Sequence, residues 1–344
     1  MYYLLFFTIF AFLSINNDKI SKIRYLDLFI FISIIFGASV RWDVGGDWSR
    51  YTEYLDVIFT HKKPDESALY YILNALFNLF KLDVLGKNII LIILFLIPFF
   101  YIFKKHHQNI YLSLCIFFPI IFIVYGLGSV RQGLAMSYFF LFIYYEGNRF
   151  YKFSIFLIPF FFHPASLVLY VMYILSKVIN FSNKKIFLKT SFLVSIFIII
   201  LAFLSYDYFK IKFDNYVIKE TYHSIGAPVR ALLLSFFSII FLIKFKELKI
   251  INKDIKNFVL FSSLLIIFLT PFSYHLSTAV DRILGFFLIL KLIIANEIIK
   301  NCKFKSEKKF YNIIFILISY FYLTLWLFFG SESFRWLRFE LPFI

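Results

Sequence analysis

Long apolar runs constrain this chain more than any single motif does. Residues 88–103 read NIILIILFLIPFFYIF, and comparable runs recur along all 344 residues. A transmembrane helix needs roughly 20 mostly apolar residues, and 61% of this sequence is apolar. The sequence therefore predicts an all-α polytopic membrane protein, built as a single integral membrane domain over residues 1–344.

Charge and cysteine content argue against two other interpretations. The net charge of +16 does not indicate a nucleic-acid partner, because the basic residues lie in short loops between apolar segments, where they orient helices. Cys115 lies in an apolar run and Cys302 in a lysine-rich loop, so no disulfide is expected. The first apolar run has no basic region ahead of it, which predicts an uncleaved first span that starts outside.

We predict twelve helices from the apolar runs, several of them short. Their bounds are 2–16, 25–40, 86–103, 110–127, 133–146, 153–162, 165–179, 190–206, 231–245, 258–272, 283–299 and 313–329. Residues 68–80 are expected to form a surface or partly embedded helix on the outer side. The outer loops are then 41–85, 207–230 and 330–344, and both termini lie outside.

Arginine and lysine are distributed unequally between the two sides of this topology. Twenty of the 27 lysines fall on the inner side, whereas seven of the nine arginines fall on the outer side. Arg24 and Arg149 are the two inner exceptions. The lysine loops satisfy the positive-inside rule, and the outer arginines indicate an anionic substrate handled on the outer face.

The first outer loop reads RWDVGGDWSRYTEYLD over residues 41–56. Trp48 and Tyr51 suit either an interfacial aromatic belt or a platform for a sugar ring. Asp43 and Asp47 either pair with the arginines of this loop or take part in proton transfer. Both roles are compatible, because a carboxylate held by an arginine stays ionised and can still accept a proton.

A second outer segment reads GLGSVRQGLAM over residues 126–136. Ser129 is placed to cap the helix that follows, and the first turn of that helix would offer backbone N–H groups beside Arg131 and Gln132. This combination suits a phosphate. The alternative is that Arg131 extends to lipid headgroups.

The third candidate is His163, which precedes Pro164 within otherwise apolar sequence. Proline disfavours helical geometry at the residue before it and suits the first residue of a new helix. We therefore expect His163 at a helix start. It is either a core histidine with satisfied hydrogen bonds or a functional titratable group.

Further polar residues lie on the same outer side. His275, Asp281 and Arg282 surround the expected start of a helix, and Arg335 and Arg338 flank a tryptophan in a tail expected along the outer interface. The alternative role of Asp281 and Arg282 is to pair elsewhere in the bundle.

Helices predicted to begin near residues 133, 165, 231 and 283 all run from outside to inside. Each has an arginine or histidine at or just before its first turn. Helix N-termini that converge on one site bind anions within membranes, and arginine adds a planar fork that matches phosphate oxygens. The predicted diphosphate ligands are Arg41, Arg131, Arg230 and Arg282.

The ordered set of motifs resembles the EpsG-like branch of the Wzy polysaccharide polymerases, bacterial proteins that polymerise lipid-linked O-antigen or capsule repeat units. The matching residues are Arg41, Gly45, Asp47 and Trp48 with a tyrosine at Tyr51 or slightly beyond, RQGLA at 131–135, FHPAS around His163, and DRI at 281–283. Together they cover most of the chain. One departure is the proline after His163, where a small or polar residue is expected.

This resemblance implies a GT-C-like architecture in the bacterial inner membrane with an active site facing the periplasm. The implied reaction is metal-independent glycosyl transfer from an undecaprenyl-diphosphate-linked glycan to a sugar hydroxyl of another lipid-linked repeat unit. The implied partners are that lipid-linked oligosaccharide as donor and acceptor, membrane lipids and a chain-length regulator, with no cofactor. The outer side carries no metal-ligand motif of the DxD or HExxH kind.

Asp47 and His163 are then the two candidates for the base that deprotonates the sugar hydroxyl. Residues expected to contact the glycan or assist are Asp43, Trp48, Tyr51, Gln132, His275, Asp281, Arg335 and Arg338. The alternatives are an O-antigen ligase or another lipid-linked-sugar glycosyltransferase, a flippase for lipid-linked oligosaccharides, and a sugar acyltransferase.

Overall fold

The structure, a computed structural model, describes residues 2–21, 23, 25–41, 44–45, 68–178, 210–211, 213–218, 223–249, 252–330 and 333–337. It is 85% helical, and the described residues contain no strand, as the apolar runs predict. The predicted helix 190–206 lies outside the described residues. So do five of the predicted site residues, namely Asp43, Asp47, Trp48, Tyr51 and Arg338.

The described residues form fifteen α-helices. Those up to His163 are α1 (Tyr2–Ile15), α2 (Asn17–Ile20), α3 (Leu26–Ser39), α4 (Ala68–Leu79), α5 (Val84–His106), α6 (Ile110–Phe117), α7 (Val130–Tyr144) and α8 (Arg149–Phe162). Those after it are α9 (Leu167–Val178), α10 (Ala227–Lys244), α11 (Lys253–Leu269), α12 (Ser277–Phe286), α13 (Ile289–Asn301), α14 (Lys305–Phe329) and α15 (Phe334–Leu337). A π-helical segment, Phe118–Gly128, continues α6, and 3-10 turns cover Pro164–Ser166 and Thr270–Ser273.

Within the described part of the chain, five helical stretches are long and apolar enough to cross a membrane. They are Val84–His106, Ile110–Gly128, Ala227–Lys244, Lys253–Ser273 and Lys305–Phe329. The shorter apolar helices include α1, α3, α4 and the stretch Pro164–Lys177. The total of twelve spans and the side on which the termini lie stay predictions.

The chain divides into two compact units, with unit 1 formed by residues 1–163 and 302–344 and unit 2 by residues 164–301. The core of unit 1 is aromatic and is built by α5, α6 and α7. Phe99 contacts Phe117 at 4.7 Å and Phe140 at 5.4 Å between ring centroids, and all three side chains are buried. The outer faces of α1 and α3 expose large apolar side chains, as lipid-facing helices do.

Unit 1 has two chemically different ends. At one, the lysine end, the Lys104 ammonium lies 3.0 Å from the carboxylate of Asp27, and the Asn109 amide donates to the main-chain carbonyl of Ser14. At the other, the arginine end, the Tyr3 hydroxyl donates to the carbonyl of Trp336 at 3.0 Å. The starts of α1 and α5 and the last turns of α3, of the π-helical segment and of α14 all lie at the arginine end.

Unit 2 shows the same separation within itself. At the lysine end, Lys177 and Asp254 form an ion pair, and the Lys249 backbone amide donates to the side-chain oxygen of Asn301. At the opposite end, Arg230 forms an ion pair with the carboxylate of Asp281. Between the ends, α10 packs on α11, and hydroxyl groups line this contact, as is common where helices approach closely in membranes.

The predicted helix 283–299 is wrong in its start and in its continuity. The structure begins α12 at Ser277 and separates it from α13 by a turn in which the Phe287 amide donates to the carbonyl of Leu284. The polar first residues of α12 concealed its start, because the apolar run alone defined the prediction. Gly285 lies in the last turn of α12, where its low helix propensity favours a break.

Candidate active site

Arg41 follows α3 and is buried at the arginine end of unit 1, with 4% of its surface exposed. Its Nη1 donates to the carbonyl of Leu127 and, at 3.4 Å, to that of Gly126. These carbonyls close the π-helical segment, and the last carbonyls of a helix carry the negative end of its dipole. The guanidinium therefore caps this helix end.

Two glycines allow the chain segments at this end to approach one another closely. Gly45 has a φ of +109°, donates its amide to the carbonyl of Arg335 at 3.1 Å, and a Cβ there would lie 2.6 Å from the oxygen of Leu127. A Cβ on Gly128 would lie 2.9 Å from the ring of Trp336. Any larger residue would force these segments apart. We call the cluster of Arg41, Gly45, 126–129 and 333–337 the arginine-end junction.

Trp336 attaches the C-terminal segment to this junction. The indole N–H donates to the carbonyl of Ile123 at 3.1 Å, and the side chain is 8% exposed. That the tail lies along the outer interface stays a prediction, but the indole of this tryptophan packs within unit 1. The indole is buried because the wide π-helical segment presents a carbonyl that it can reach, whereas the adjacent Arg335 is exposed.

Arg131 lies in the first turn of α7, two residues beyond the junction. Its guanidinium lies over the ring of Tyr70, 5.7 Å from the centroid, and its side chain is partly exposed. The neighbouring Gln132 is buried. Ser129 occupies the N-cap position but makes no side-chain capping bond, so that part of the prediction is wrong; its carbonyl accepts from Gly133 instead.

His163 terminates α8, and its amide donates to the carbonyl of Pro159. The helix breaks at this histidine, but His163 ends α8 and does not start a helix as predicted, because a 3-10 turn over Pro164–Ser166 separates it from α9. Since Phe162 packs against Tyr138 of the antiparallel α7, His163 lies about 10 Å along the helix axis from Arg131. The two residues are thus at different depths in unit 1.

Arg230 in unit 2 has its guanidinium held by a carboxylate. Its Nε lies 2.5 Å from Oδ1 of Asp281 and its Nη2 lies 2.6 Å from Oδ2. Ser224 completes the cluster, donating its hydroxyl to Asp281 at 2.8 Å and accepting from Arg230 at the same distance. This arrangement confirms that Asp281 pairs within the bundle, and sequence reasoning had not identified Ser224.

Arg282 and His275 are both exposed in unit 2. Arg282 lies in the second turn of α12, not at the start of a helix as predicted, because α12 begins at Ser277. His275 precedes α12, and its ring contacts that of Tyr274. The structure therefore places Arg41 and Arg131 in unit 1 and the other two predicted diphosphate ligands in unit 2.

Five apolar helical stretches long enough to cross a membrane, within the part of the chain that the structure describes, define a helical membrane protein. The family model of the EpsG family matches residues 24–341. The chain therefore belongs to the EpsG family, and the resemblance seen in its motifs is confirmed. Membership supports a role as a membrane polysaccharide polymerase. Searches of curated proteins and of solved structures found no match.

Proposed function

We propose that this protein polymerises lipid-linked polysaccharide repeat units at the periplasmic face of the bacterial inner membrane. The donor is a glycan on undecaprenyl diphosphate, and the acceptor is a sugar hydroxyl of a second lipid-linked repeat unit. Membership in the EpsG family and the apolar helices support this proposal. The observation that carries it further is the position of Arg131.

Arg131 combines two sources of positive potential. It lies in the first turn of α7, where the positive end of the helix dipole favours an anion. Its guanidinium offers a permanently charged fork for phosphate oxygens. In a glycosyl transfer to a sugar hydroxyl, negative charge develops on the departing diphosphate, so a fixed cation at this point lowers the barrier.

The bond changes in the proposed reaction balance without an additional reactant. The anomeric carbon–oxygen bond to the diphosphate breaks, the acceptor oxygen bonds to that carbon, and the hydroxyl proton passes to a base. Asp47 and His163 are the two candidates for this base. Because His163 and Arg131 lie at different depths in unit 1, the histidine would face a part of the substrate other than the diphosphate.

The test is complementation of a cell that lacks this protein. The wild type should restore a ladder of surface glycans with many repeat units, and Asp47→Asn or His163→Ala should abolish it if that residue is the base. Arg131→Lys should reduce polymer by about 100-fold, because an ammonium replaces the fork with a point charge. A ladder that persists without the protein would refute the proposal.

The same cells discriminate the alternative functions. A polymerase mutant retains surface glycan with a single repeat unit. Loss of all surface glycan would identify a flippase, and accumulation of long polymer on the lipid carrier would identify a ligase. Immunoblots of the protein in membranes provide the control for expression in each variant.

A further inference from the structure

The contacts of Arg41 distinguish it from the other predicted diphosphate ligands. It is 4% exposed, and its Nη1 is already directed at the carbonyls of Gly126 and Leu127. Hydrogen bonds from a charged donor are stronger than those between neutral groups. A substrate phosphate would have to reach a buried guanidinium whose Nη1 already holds two backbone carbonyls at a helix end.

The backbone that Arg41 holds leads directly to Arg131. Gly128 and Ser129 are the only residues between Leu127 and the start of α7 at Val130. The turn is enclosed on two further sides, because Gly45 contacts the backbone at Leu127 and the ring of Trp336 lies against Gly128. The direction in which the chain leaves this turn sets the axis of α7 and the location of its first residues.

We propose that Arg41 is a positioning residue that acts through the turn 126–129 on Arg131 and does not bind the diphosphate itself. The link to an anionic substrate rests on the proposed function. The structural part, that Arg41 orders the start of α7, can be tested independently of any activity.

Two substitutions separate positioning from phosphate binding. Arg41→Lys keeps a cation with several N–H donors that can bond the same two carbonyls, whereas Arg41→Met keeps the length and removes every donor. Positioning predicts that Arg41→Lys forms a glycan ladder within about threefold of the wild type, since the cap persists. Arg41→Met should lose about 10- to 100-fold, as expected for a misplaced catalytic group.

Hydrogen exchange in the purified full-length protein supplies the readout that does not depend on activity. Arg41→Met should accelerate amide exchange across residues 128–133, Arg41→Lys should not, and Arg131→Met should leave exchange there unchanged. Should Arg41→Met fail to fold, Trp336→Phe removes a different bond to the same π-helical segment and should accelerate exchange in the same peptide.

Each result decides between the two roles. If Arg41→Lys is as inactive as Arg41→Met while exchange at 128–133 matches the wild type in both, Arg41 is a direct ligand and the proposal is wrong. If exchange rises in Arg41→Met while the ladder is insensitive to every variant, including Arg131→Lys, the positioning role stands and the polymerase proposal fails.

Discussion

Arg41 follows the last turn of α3 in unit 1, whereas Arg230 lies near the start of α10 in unit 2, and their guanidinium groups bond to different partners. In unit 1, Arg41 donates to main-chain carbonyls, which leaves its positive charge in place. In unit 2, both carboxylate oxygens of Asp281 accept hydrogen bonds from Arg230, and the carboxylate offsets the positive charge of the guanidinium. An arginine near a helix terminus is therefore not by itself a phosphate ligand.

The comparison also identifies a second arginine in each unit that is more accessible. Arg131 is partly exposed beside Arg41, and Arg282 is exposed next to Asp281. In each unit one arginine stabilises the local fold, and its neighbour remains at the surface. For unit 1, this division favours Arg131 over Arg41 as the arginine that makes the proposed substrate contact.

The largest effect on stability is expected from Gly45→Ala, which disrupts the arginine-end junction of unit 1. A Cβ would lie 2.6 Å from a backbone oxygen at a φ of +109°, and a backbone atom cannot move aside as a side chain can. We expect a loss of about 3 kcal/mol and of the glycan ladder. Thermal unfolding in detergent and the ladder assay measure the two effects.

Gly37→Ala is the matched control for Gly45→Ala. Gly37 lies within α3, and no atom comes within 4 Å of the position that its Cβ would occupy. Since alanine favours a helix more than glycine does, this variant should be as stable as the wild type or more so. Equal destabilisation by both substitutions would show that the close approach at Gly45 is unimportant.

The second prediction tests the carboxylate pair of unit 2. Asp281→Ala leaves the Arg230 guanidinium, 13% exposed, without its carboxylate and should cost about 2 kcal/mol. The double variant Arg230→Asp, Asp281→Arg restores opposite charges and should recover most of that stability. If Arg230 acts only in the fold, the swap also recovers the glycan ladder.

A stable but inactive swap variant would change the assignment. It would mean that a cation is required at position 230 itself, and Arg230 would return to the set of substrate ligands. Arg282→Lys keeps the positive charge of this exposed residue but removes the planar guanidinium group. This variant provides the comparison for a direct phosphate contact.

Trp336→Phe is the third prediction and should have a smaller effect. Phenylalanine retains much of the ring packing against Gly128 but loses the indole N–H that bonds the carbonyl of Ile123. We expect a loss of about 1 kcal/mol. Trp326→Phe is the control, because Trp326 contacts the ring of Trp336 at 5.4 Å and leaves that hydrogen bond intact. A larger loss in the control would contradict the anchoring role.

The sequence predicted much of the fold because apolar runs mark helices directly. The predicted 25–40 and 110–127 correspond to Leu26–Ser39 and Ile110–Gly128. The segment 68–80, predicted as a surface helix, is a helix of 12 residues, too short to cross a bilayer. The break at His163 was predictable from the proline that follows it.

Roles in the candidate site were less predictable, because they depend on partners far apart in the sequence. Arg41 bonds a carbonyl 86 residues away, and Trp336 bonds one 213 residues away. Neither carbonyl has a sequence signature, since every residue carries one. A sequence shows that an arginine is present, but the tertiary fold decides whether its donors are used by the protein or remain for a substrate.

The smallest effect is expected at the lysine end of unit 1. The Lys104 side chain is 61% exposed, and its ion pair with Asp27 is a surface contact, worth at most about 0.5 kcal/mol. Lys104→Gln should therefore leave both thermal stability and the glycan ladder unchanged, while Arg131→Lys at the opposite end reduces the ladder. A ladder lost on Lys104→Gln would show that the lysine end, which we assign only to orienting helices, contributes to the reaction, and the contrast between the two ends would fail.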